Sequence, residues 1–231
     1  MQLLTRHDLD LGGFAGLRER IYVMDPRRFG DHTTPGSREG FEQLVYLADA
    51  IFLPRGSTGA HDHQQVDIIS VLVRGHLRHE GSLGHGETLE AGEVQVQYAG
   101  AERFRHNEIN PAPHGAHMIQ LWMQPLVAQG PARYRNYRPA TGQLTRVYGE
   151  EPGTNTAVDI WPAHAGQQQY SLGPTLGFLV NGQLHVTEAG QRTSLAAETL
   201  FQGKDLQLEA EQDSLVILLA ATASFRILRN E

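Results

Sequence analysis

The chain contains no cysteine. Disulfide bonds, thiolate catalysis and thiolate-bound zinc are therefore excluded. A basic excess is missing too, since 19 Lys and Arg against 26 Asp and Glu give a formal net charge of -7. The one local basic group, Arg133, Arg135 and Arg138, is interpreted as a solvated turn or a set of salt bridges. Nucleic-acid-binding proteins usually present a basic face, so we expect no nucleic-acid partner.

Long hydrophobic runs are lacking as well. The longest, at residues 215–223, is too short to span a bilayer as a helix, which takes about 20 residues. The N-terminal stretch MQLLTRHDLDLGG carries charges where a signal peptide would be apolar. We therefore expect a cytoplasmic protein without a membrane partner.

Glycine and proline, by contrast, are frequent. The 25 glycines and 11 prolines separate many short runs of Val, Ile and Leu, which is typical of all-β proteins. A chain of 231 residues is long enough to bury the core of one large or two small domains.

One sequence pattern occurs twice. VLVRGHLRHEGSLGHGETLEAGEVQVQ begins at residue 71 and FLVNGQLHVTEAGQRTSLAAETLFQ at residue 178. Gly75 then aligns with Gly182 at an offset of 107, and Leu89 with Leu195 at an offset of 106. The repeat predicts a duplicated β-sandwich or barrel. We place the two domains at residues 1–125 and 126–231, with a linker at 126–152.

Two pairs of polar residues suggest a metal site in the first copy. His61 and His63 are separated by one residue, as are His106 and Glu108. On a strand such residues share one face, about 6 to 7 Å apart. An isolated His-x-His pair is more often a surface accident, but two facing strands would offer three imidazoles and one carboxylate. This donor set suits iron, nickel, copper, manganese or zinc and leaves positions open for catalysis.

The second copy lacks both pairs. His61 and His63 align with Gln168 and Tyr170, and the counterpart of the second pair falls near residues 210–216, which contain no histidine. A structural role would have been kept in both copies. We therefore expect chemistry in the N-terminal half only, and a C-terminal half without metal ligands.

Other candidates are weaker. Asp67 is interpreted as a hydrogen-bonding residue rather than an extra ligand. Five further histidines are expected at exposed turns or on the polar surface: His76, His79, His85, His114 and His117. For His79 the alternative is a place next to the metal ligands. Four strand valines could form a pocket wall but are more typical of plain core: Val71, Val73, Val94 and Val96.

Several motifs together resemble the pirin family of bicupins. They are the His61-x-His63 pair, the strand DIISVLVRG, the turn GSLG, the AGEVQ segment and the H-N-E-x-N-P run. The resemblance is strongest to bacterial pirin-like proteins with quercetin 2,3-dioxygenase activity. It implies two tandem cupin (jelly-roll-like) β-barrels that face each other. It also implies a metal, usually iron(II), held in the N-terminal cupin by His61, His63, His106 and Glu108.

The function implied by this resemblance is oxidative ring opening of a flavonol or another enediol-like aromatic. The partners would be a small aromatic substrate and O2, and the products a depside and carbon monoxide. The metal would bind the deprotonated 3-hydroxyl group, and Glu108 is both a ligand and the best candidate for the catalytic base.

Two departures from the family pattern bear on this function. The loop AGAERFRH lacks a second glycine and is one residue longer, which could bring Glu102 or Arg103 into or over the site. Gly81 stands where the family usually has aspartate. A solvent-open pocket above Glu108 would favour the enzyme. A pocket plugged by Glu102, Arg103 or Arg105 would favour a regulatory, redox-responsive protein-binding role without catalysis. An isomerase or other cupin chemistry with the same ligands is a third alternative.

Overall fold

A computed structural model describes residues 1–83 and 85–222. Gly84, the last residue of the GSLG turn, and residue 223, the last of the longest apolar run, lie outside the described residues. The prediction of an all-β protein is confirmed: the described residues form eighteen strands, one four-residue α-helix and one short 3-10 helix. No helix in the described ranges is long and apolar enough to cross a membrane.

The helix α1 spans Pro26–Phe29 and the 3-10 helix spans Arg6–Asp8. In chain order the strands are β1 (Gln2–Thr5), β2 (Leu17–Met24), β3 (Leu44–Phe52), β4 (His61–Gln64), β5 (Asp67–Arg74), β6 (His76–Gly81), β7 (Thr88–Glu90), β8 (Val94–Tyr98), β9 (Arg103–Ile109), β10 (Ala116–Met123), β11 (Arg133–Tyr137), β12 (Thr145–Tyr148), β13 (Thr156–Ala163), β14 (Gln168–Asn181), β15 (Gln183–Glu188), β16 (Gln191–Ala196), β17 (Thr199–Ala210) and β18 (Ser214–Ala221).

The chain divides into two compact units. The N-terminal unit, Leu9–Arg138, has a six-stranded sheet in the order β11-β8-β5-β10-β3-β2 and a four-stranded sheet in the order β4-β9-β6-β7. The C-terminal unit consists of Met1–Asp8 together with the chain from Pro139, and has one sheet in the order β12-β13-β18-β14-β17-β15-β16, with β1 also paired to β17.

This division differs from the predicted domains 1–125 and 126–231 at two places. The segment after residue 125 stays with the N-terminal unit because β11 pairs with β8 along its whole length. The first eight residues belong to the C-terminal unit because β1 pairs with β17. Backbone pairing between segments far apart in sequence sets both boundaries. The amino-acid composition of the chain does not indicate such pairing.

The predicted duplication is confirmed by strand register. Corresponding residues make corresponding antiparallel pairs in the two units: Val71–Val94 and Leu77–Leu89 in the first, Phe178–Leu200 and Leu184–Leu195 in the second. Gly75 and Gly182 both have a φ of 85°, where a Cβ atom would be strained. The same glycine turn therefore opens the same hairpin twice.

The interior of the C-terminal unit is apolar where the N-terminal unit has polar residues. The counterpart of the His106 strand is Leu206–Ala210 of β17, which pairs with the start of β14 as β9 pairs with β4. The predicted location near residues 210–216 overlaps this segment at Ala210. Leu206, Leu208 and Ala210 are buried in a cluster with Trp161 and Phe201.

Candidate metal centre

Three histidine side chains meet inside the N-terminal unit. β4 and β9 are antiparallel neighbours, with His61 opposite His106 and His63 opposite Phe104. The Nε2 atom of His106 lies 3.0 Å from Nε2 of His63 and 3.1 Å from Nε2 of His61. In the described part of the chain, this is the only group of three or more candidate ligand residues whose donor atoms lie within 4.8 Å of one another.

Neighbouring groups fix the orientation of the imidazoles. The Nδ1 atom of His61 donates to the Gly59 carbonyl oxygen at 2.8 Å, so the lone pair of its Nε2 atom faces the cluster. The His63 ring packs edge-on against Trp122 and tilted against Phe104, with ring centroids 4.9 and 5.3 Å apart. The rings are therefore held with their Nε2 atoms turned toward a common point.

Burial keeps two of these imidazoles neutral. It lowers the pKa of His63 to about 3, with His61 and Arg28 adding to the effect. It lowers the pKa of His106 to about 2, with the neighbouring histidines adding to the effect. A histidine must be neutral to bind a metal, so both side chains are ready to do so at neutral pH.

The spacing of the nitrogens tests whether a metal would fit. Nitrogen ligands about 2.1 Å from one ion and at right angles lie about 3.0 Å apart, whereas tetrahedral placement puts them about 3.4 Å apart. The distances of 3.0 and 3.1 Å agree with right angles. Three imidazole nitrogens at this spacing fit a divalent first-row metal.

These pKa shifts predict that the metal-free protein loses stability in acid. Unfolded histidines bind protons below a pH of about 6.5, but the folded His63 and His106 do so only near their pKa values of about 3 and 2. Folding stability should therefore fall as the pH drops from 6.5 toward 3. Thermal unfolding of the metal-free protein at a series of pH values measures this, and a His106→Leu variant should show a shallower fall.

One buried group opposes this trend. The pKa of Glu108 is raised to about 7, so the folded state binds an extra proton between about 4.5 and 7, and that contribution is lost as the pH rises through 7. The stability lost in acid through two histidines exceeds the stability gained through one carboxyl group. The protein should therefore still be more stable at neutral pH than in acid. An unfolding temperature that stays level or rises between pH 6.5 and 4 would contradict the prediction.

Glu108 lies one pleat from His106 on the interior face of β9 and is 2 % exposed. Ser70 Oγ donates to its Oε1 atom and Gln120 Nε2 to its Oε2 atom, both at 3.1 Å. Trp122 Nε1 in turn donates to Gln120 Oε1 at 3.0 Å. The carboxylate is not part of the three-histidine group, so its place as a fourth ligand stays a prediction.

The electrostatics of Glu108 result from two opposing effects. Burial raises its pKa, and the hydrogen bonds from Ser70 and Gln120 lower it, which leaves a value of about 7. Ser70 and Gln120 are direct neighbours across β5 and β10. A carboxyl group that titrates near neutral pH suits proton transfer.

Sequence reasoning missed Ser70 and Gln120. Each lies within a strand that reads as mostly apolar, and the only available signal was a polar residue in an otherwise apolar run. Gln97 of β8 was missed for the same reason; its amide lies 3.1 Å from Nδ1 of His106.

Of the two alternatives for His79, the exposed turn position is wrong and the place beside the ligands is confirmed. His76 is half-buried and His85 exposed, but His79 is 2 % exposed, and its ring lies 5.4 Å from that of His106 and 5.6 Å from that of Tyr134. It faces inward because Leu77 and His79 alternate with exposed or half-buried neighbours along β6. Burial lowers its pKa.

Of the other weak candidates, Asp67 and His117 have polar partners within the N-terminal unit. Asp67 accepts a hydrogen bond from the Ala99 amide at 2.9 Å, as expected for a hydrogen-bonding residue. His114 is exposed, and His117 Nε2 lies 2.7 Å from the carboxylate of Asp49.

The unusual loop before His106 does not cover the site. Glu102, Arg103 and Arg105 are exposed. Glu102 accepts a hydrogen bond from the Ala132 amide, and Arg105 pairs with Asp62.

Gly81, the second departure from the family pattern, lies directly opposite His106 in the sheet. A Cβ atom on Gly81 would lie 2.3 Å from the Arg105 carbonyl oxygen and 2.9 Å from the His106 Cα atom. Glycine therefore lets β6 approach the ligand strand closely.

A cavity of about 230 Å³ adjoins the histidine group. Much of its wall is apolar, including Leu17, Met118 and Trp122. Its lining residues with carboxyl, hydroxyl, imidazole or amide groups are Glu19, Tyr46, Thr58, His61 and Gln120. None of the four valines considered as wall residues lines it, nor do the three charged side chains of the loop. The cavity therefore extends to His61 and to the side-chain amide of Gln120, which donates a hydrogen bond to Glu108.

Comparisons with known proteins agree with this architecture. The Pirin family profile matches residues 17–123. A relative from Zymomonas mobilis, named provisionally as a quercetin 2,3-dioxygenase, is 36% identical over 194 residues, which cover 74% of this chain and 78% of the relative. A quercetin 2,3-dioxygenase of Escherichia coli K12 is 32% identical over 87 residues, 37% of each chain. Several curated relatives, including this one, are matched over only about two fifths of their length.

The fold matches solved structures. The bacterial pirin YhhW from Escherichia coli, in complex with nickel(II), superposes with a TM-score of 0.79 at 21% identity and covers 94% of this chain and 97% of that one. This likeness confirms the predicted bicupin fold. Together with the profile match and the relative that spans three quarters of the sequence, it identifies the chain as a member of the pirin family.

Proposed function

We propose that this chain is a metal-dependent dioxygenase that opens the ring of a flavonol-type substrate with O2. The observation that carries the proposal is the convergence of three histidine Nε2 atoms beside a largely apolar cavity that His61 helps to line. Relatives named quercetin 2,3-dioxygenase support the same activity.

We assign His61, His63, His106 and Glu108 as the ligands of a divalent first-row metal, Fe(II) in preference to nickel, copper, manganese or zinc. When bound, the metal would supply Lewis acidity that lowers the pKa of a substrate hydroxyl group. Glu108 would join the ligands by exchanging one of its hydrogen bonds, to Ser70 or Gln120, for the ion.

The residues of the chain would position the substrate and accept its proton. Glu108 would accept the proton of the substrate hydroxyl group, and Gln120, which donates to its Oε2 atom, would keep the carboxylate oriented while it does so. The apolar wall, which includes Met118 and Trp122, would hold a flat aromatic ring and exclude water from the reacting atoms.

Gln97 would fix the tautomer of His106. A metal on Nε2 of His106 requires the proton on Nδ1, which must then donate to an acceptor. Gln97 Nε2 lies 3.1 Å from that nitrogen, and its Oε1 atom has no hydrogen-bond partner among the described residues. A half-turn of the amide, which exchanges its oxygen and nitrogen, presents the oxygen to Nδ1. The same half-turn at Gln95 preserves its hydrogen bonds to Gln97 and Tyr134.

A Gln97→Met variant is therefore expected to bind metal more weakly, by roughly 10- to 100-fold, as is usual when a partner of a ligating histidine is lost. Competition with a chromophoric chelator measures the affinity without reference to activity. Gln64→Met is the matched control because Gln64 is exposed on β4. Equal affinities for the two variants would contradict the assigned role.

The proposed activity is tested with fully iron-loaded protein and quercetin in air. We expect loss of the flavonol absorbance with uptake of one O2 per substrate. If iron-loaded protein neither bleaches quercetin nor consumes O2, the dioxygenase proposal fails for this substrate class. The same site would then serve a metal-binding interaction protein or another cupin reaction such as isomerisation.

A further inference from the structure

A buried carboxyl–phenol pair forms part of the cavity wall. Tyr46 donates its hydroxyl hydrogen to Glu19 Oε2 at 2.8 Å. Glu19 is 8% exposed and Tyr46 is 7% exposed. Both residues line the cavity, and neither takes part in the metal centre described above.

The sheet places Glu19 farther from the metal centre than Tyr46, which lies on β3 and packs against Trp122. Gln120, which holds Glu108, lies on β10, whereas Glu19 lies on β2, and β3 separates the two strands. Adjacent strands are about 4.8 Å apart, so Glu19 and Gln120 are separated by about 10 Å across the sheet. The cavity wall therefore carries a second polar group, Glu19, two strands away from Gln120.

A buried carboxyl group in an apolar wall is costly unless it is hydrogen-bonded. Burial raises the pKa of Glu19 and that of Tyr46. The Tyr46 ring is held in place by Trp122 and Phe29, with ring centroids 4.9 and 6.0 Å away. The phenol oxygen is thus at a fixed position in the wall, and a buried, oriented polar pair of this kind usually provides specificity in a small-molecule pocket.

We infer that Glu19, together with the Tyr46 hydroxyl that donates to it, binds a second hydroxyl group of the substrate, with Glu19 about 10 Å across the sheet from Gln120. The preferred ligand is then a planar polyphenol with hydroxyl groups at both ends. An aromatic that carries only the hydroxyl group for the metal would bind less well. This inference rests on the proposed function and adds a substrate class and two specificity-determining residues.

The test measures binding to iron-loaded protein without oxygen, so that turnover does not interfere. The probes are quercetin and 3-hydroxyflavone, which lacks the additional ring hydroxyl groups, and the readout is quenching of tryptophan fluorescence, since Trp122 lines the cavity. We expect wild-type protein to prefer quercetin by about tenfold, the effect of one hydrogen bond to a charged or strongly polar group.

Glu19→Gln and Tyr46→Phe should each reduce this preference toward equality. The Kd for quercetin should rise by about tenfold, while the Kd for 3-hydroxyflavone and the iron content stay unchanged, which also shows that the variants are folded. Matched controls are Glu90→Gln and Tyr137→Phe, whose side chains lie outside the cavity lining. Both controls should keep the wild-type preference.

Two outcomes would overturn the inference and leave the proposed function standing. One is equal binding of the two flavonols by wild-type protein that still bleaches quercetin in air. The other is that the Glu19→Gln and Tyr46→Phe variants both prefer quercetin over 3-hydroxyflavone as strongly as the wild-type protein does. If wild-type protein binds neither flavonol and bleaches neither in air, the inference and the proposed function fail together.

Discussion

Changing His106 to alanine is expected to reduce the metal content from about one first-row ion per chain to nearly none. His106 is the central member of the group, since its Nε2 atom lies 3.0 and 3.1 Å from those of the other two histidines. Without His106 the site keeps the two imidazoles of one strand and the proposed carboxylate ligand, so an ion should be held much more weakly and be lost on dialysis. Elemental analysis of the purified protein after dialysis measures the loss.

The control for this experiment is His114→Ala, because His114 is exposed and lies outside the cluster. It should leave the metal content unchanged. A double variant, His61→Ala with His106→Ala, removes two of the three clustered imidazoles. Full metal retention in that double variant would contradict the assignment of the site. Loss of metal from the His114→Ala variant would show that the metal binds elsewhere.

The second large effect is expected at Glu108. A Glu108→Gln variant keeps the size of the side chain but removes the basic oxygen, and the rate of quercetin oxidation should fall roughly 10²- to 10⁴-fold, as is typical when a general base is lost. The amide nitrogen would also face Ser70 Oγ or Gln120 Nε2, which now donate to the carboxylate.

Metal analysis of the same variant separates the two roles given to Glu108. A reduced metal content would mean that Glu108 acts mainly as a ligand. An unchanged metal content with a low oxidation rate would mean that it acts mainly as the base. Ser70→Ala serves as a milder comparison, since it removes one of two hydrogen bonds that lower the pKa of Glu108. A Glu108→Gln protein with full activity and full metal content would exclude both roles.

The convergence of the histidines could be predicted because it follows from local periodicity. Alternation along a strand puts His61 and His63 on one face, and the same rule applies to His106 and Glu108. The antiparallel pairing of β4 and β9 then brings the two faces together. The duplicated hairpin was predictable for a similar reason, since a glycine with positive φ recurs at Gly75 and Gly182.

Other parts of the site depend on contacts that local patterns do not contain. His79 resembles a residue near a turn, and only the pairing of β6 with β9 places it beside Glu108. Ser70 and Gln120 meet Glu108 because two separate sheets pack face to face within the N-terminal unit. The Glu19–Tyr46 hydrogen bond joins residues 27 positions apart on β2 and β3.

The pairing of β1 with β17 has a consequence for biosynthesis. Leu9–Arg138 is one continuous segment, so the half that carries the histidines can complete its sheets while the ribosome is still making the rest. The other half must keep β1 unpaired until β17, around residue 200, has been made, a slow closure between distant segments.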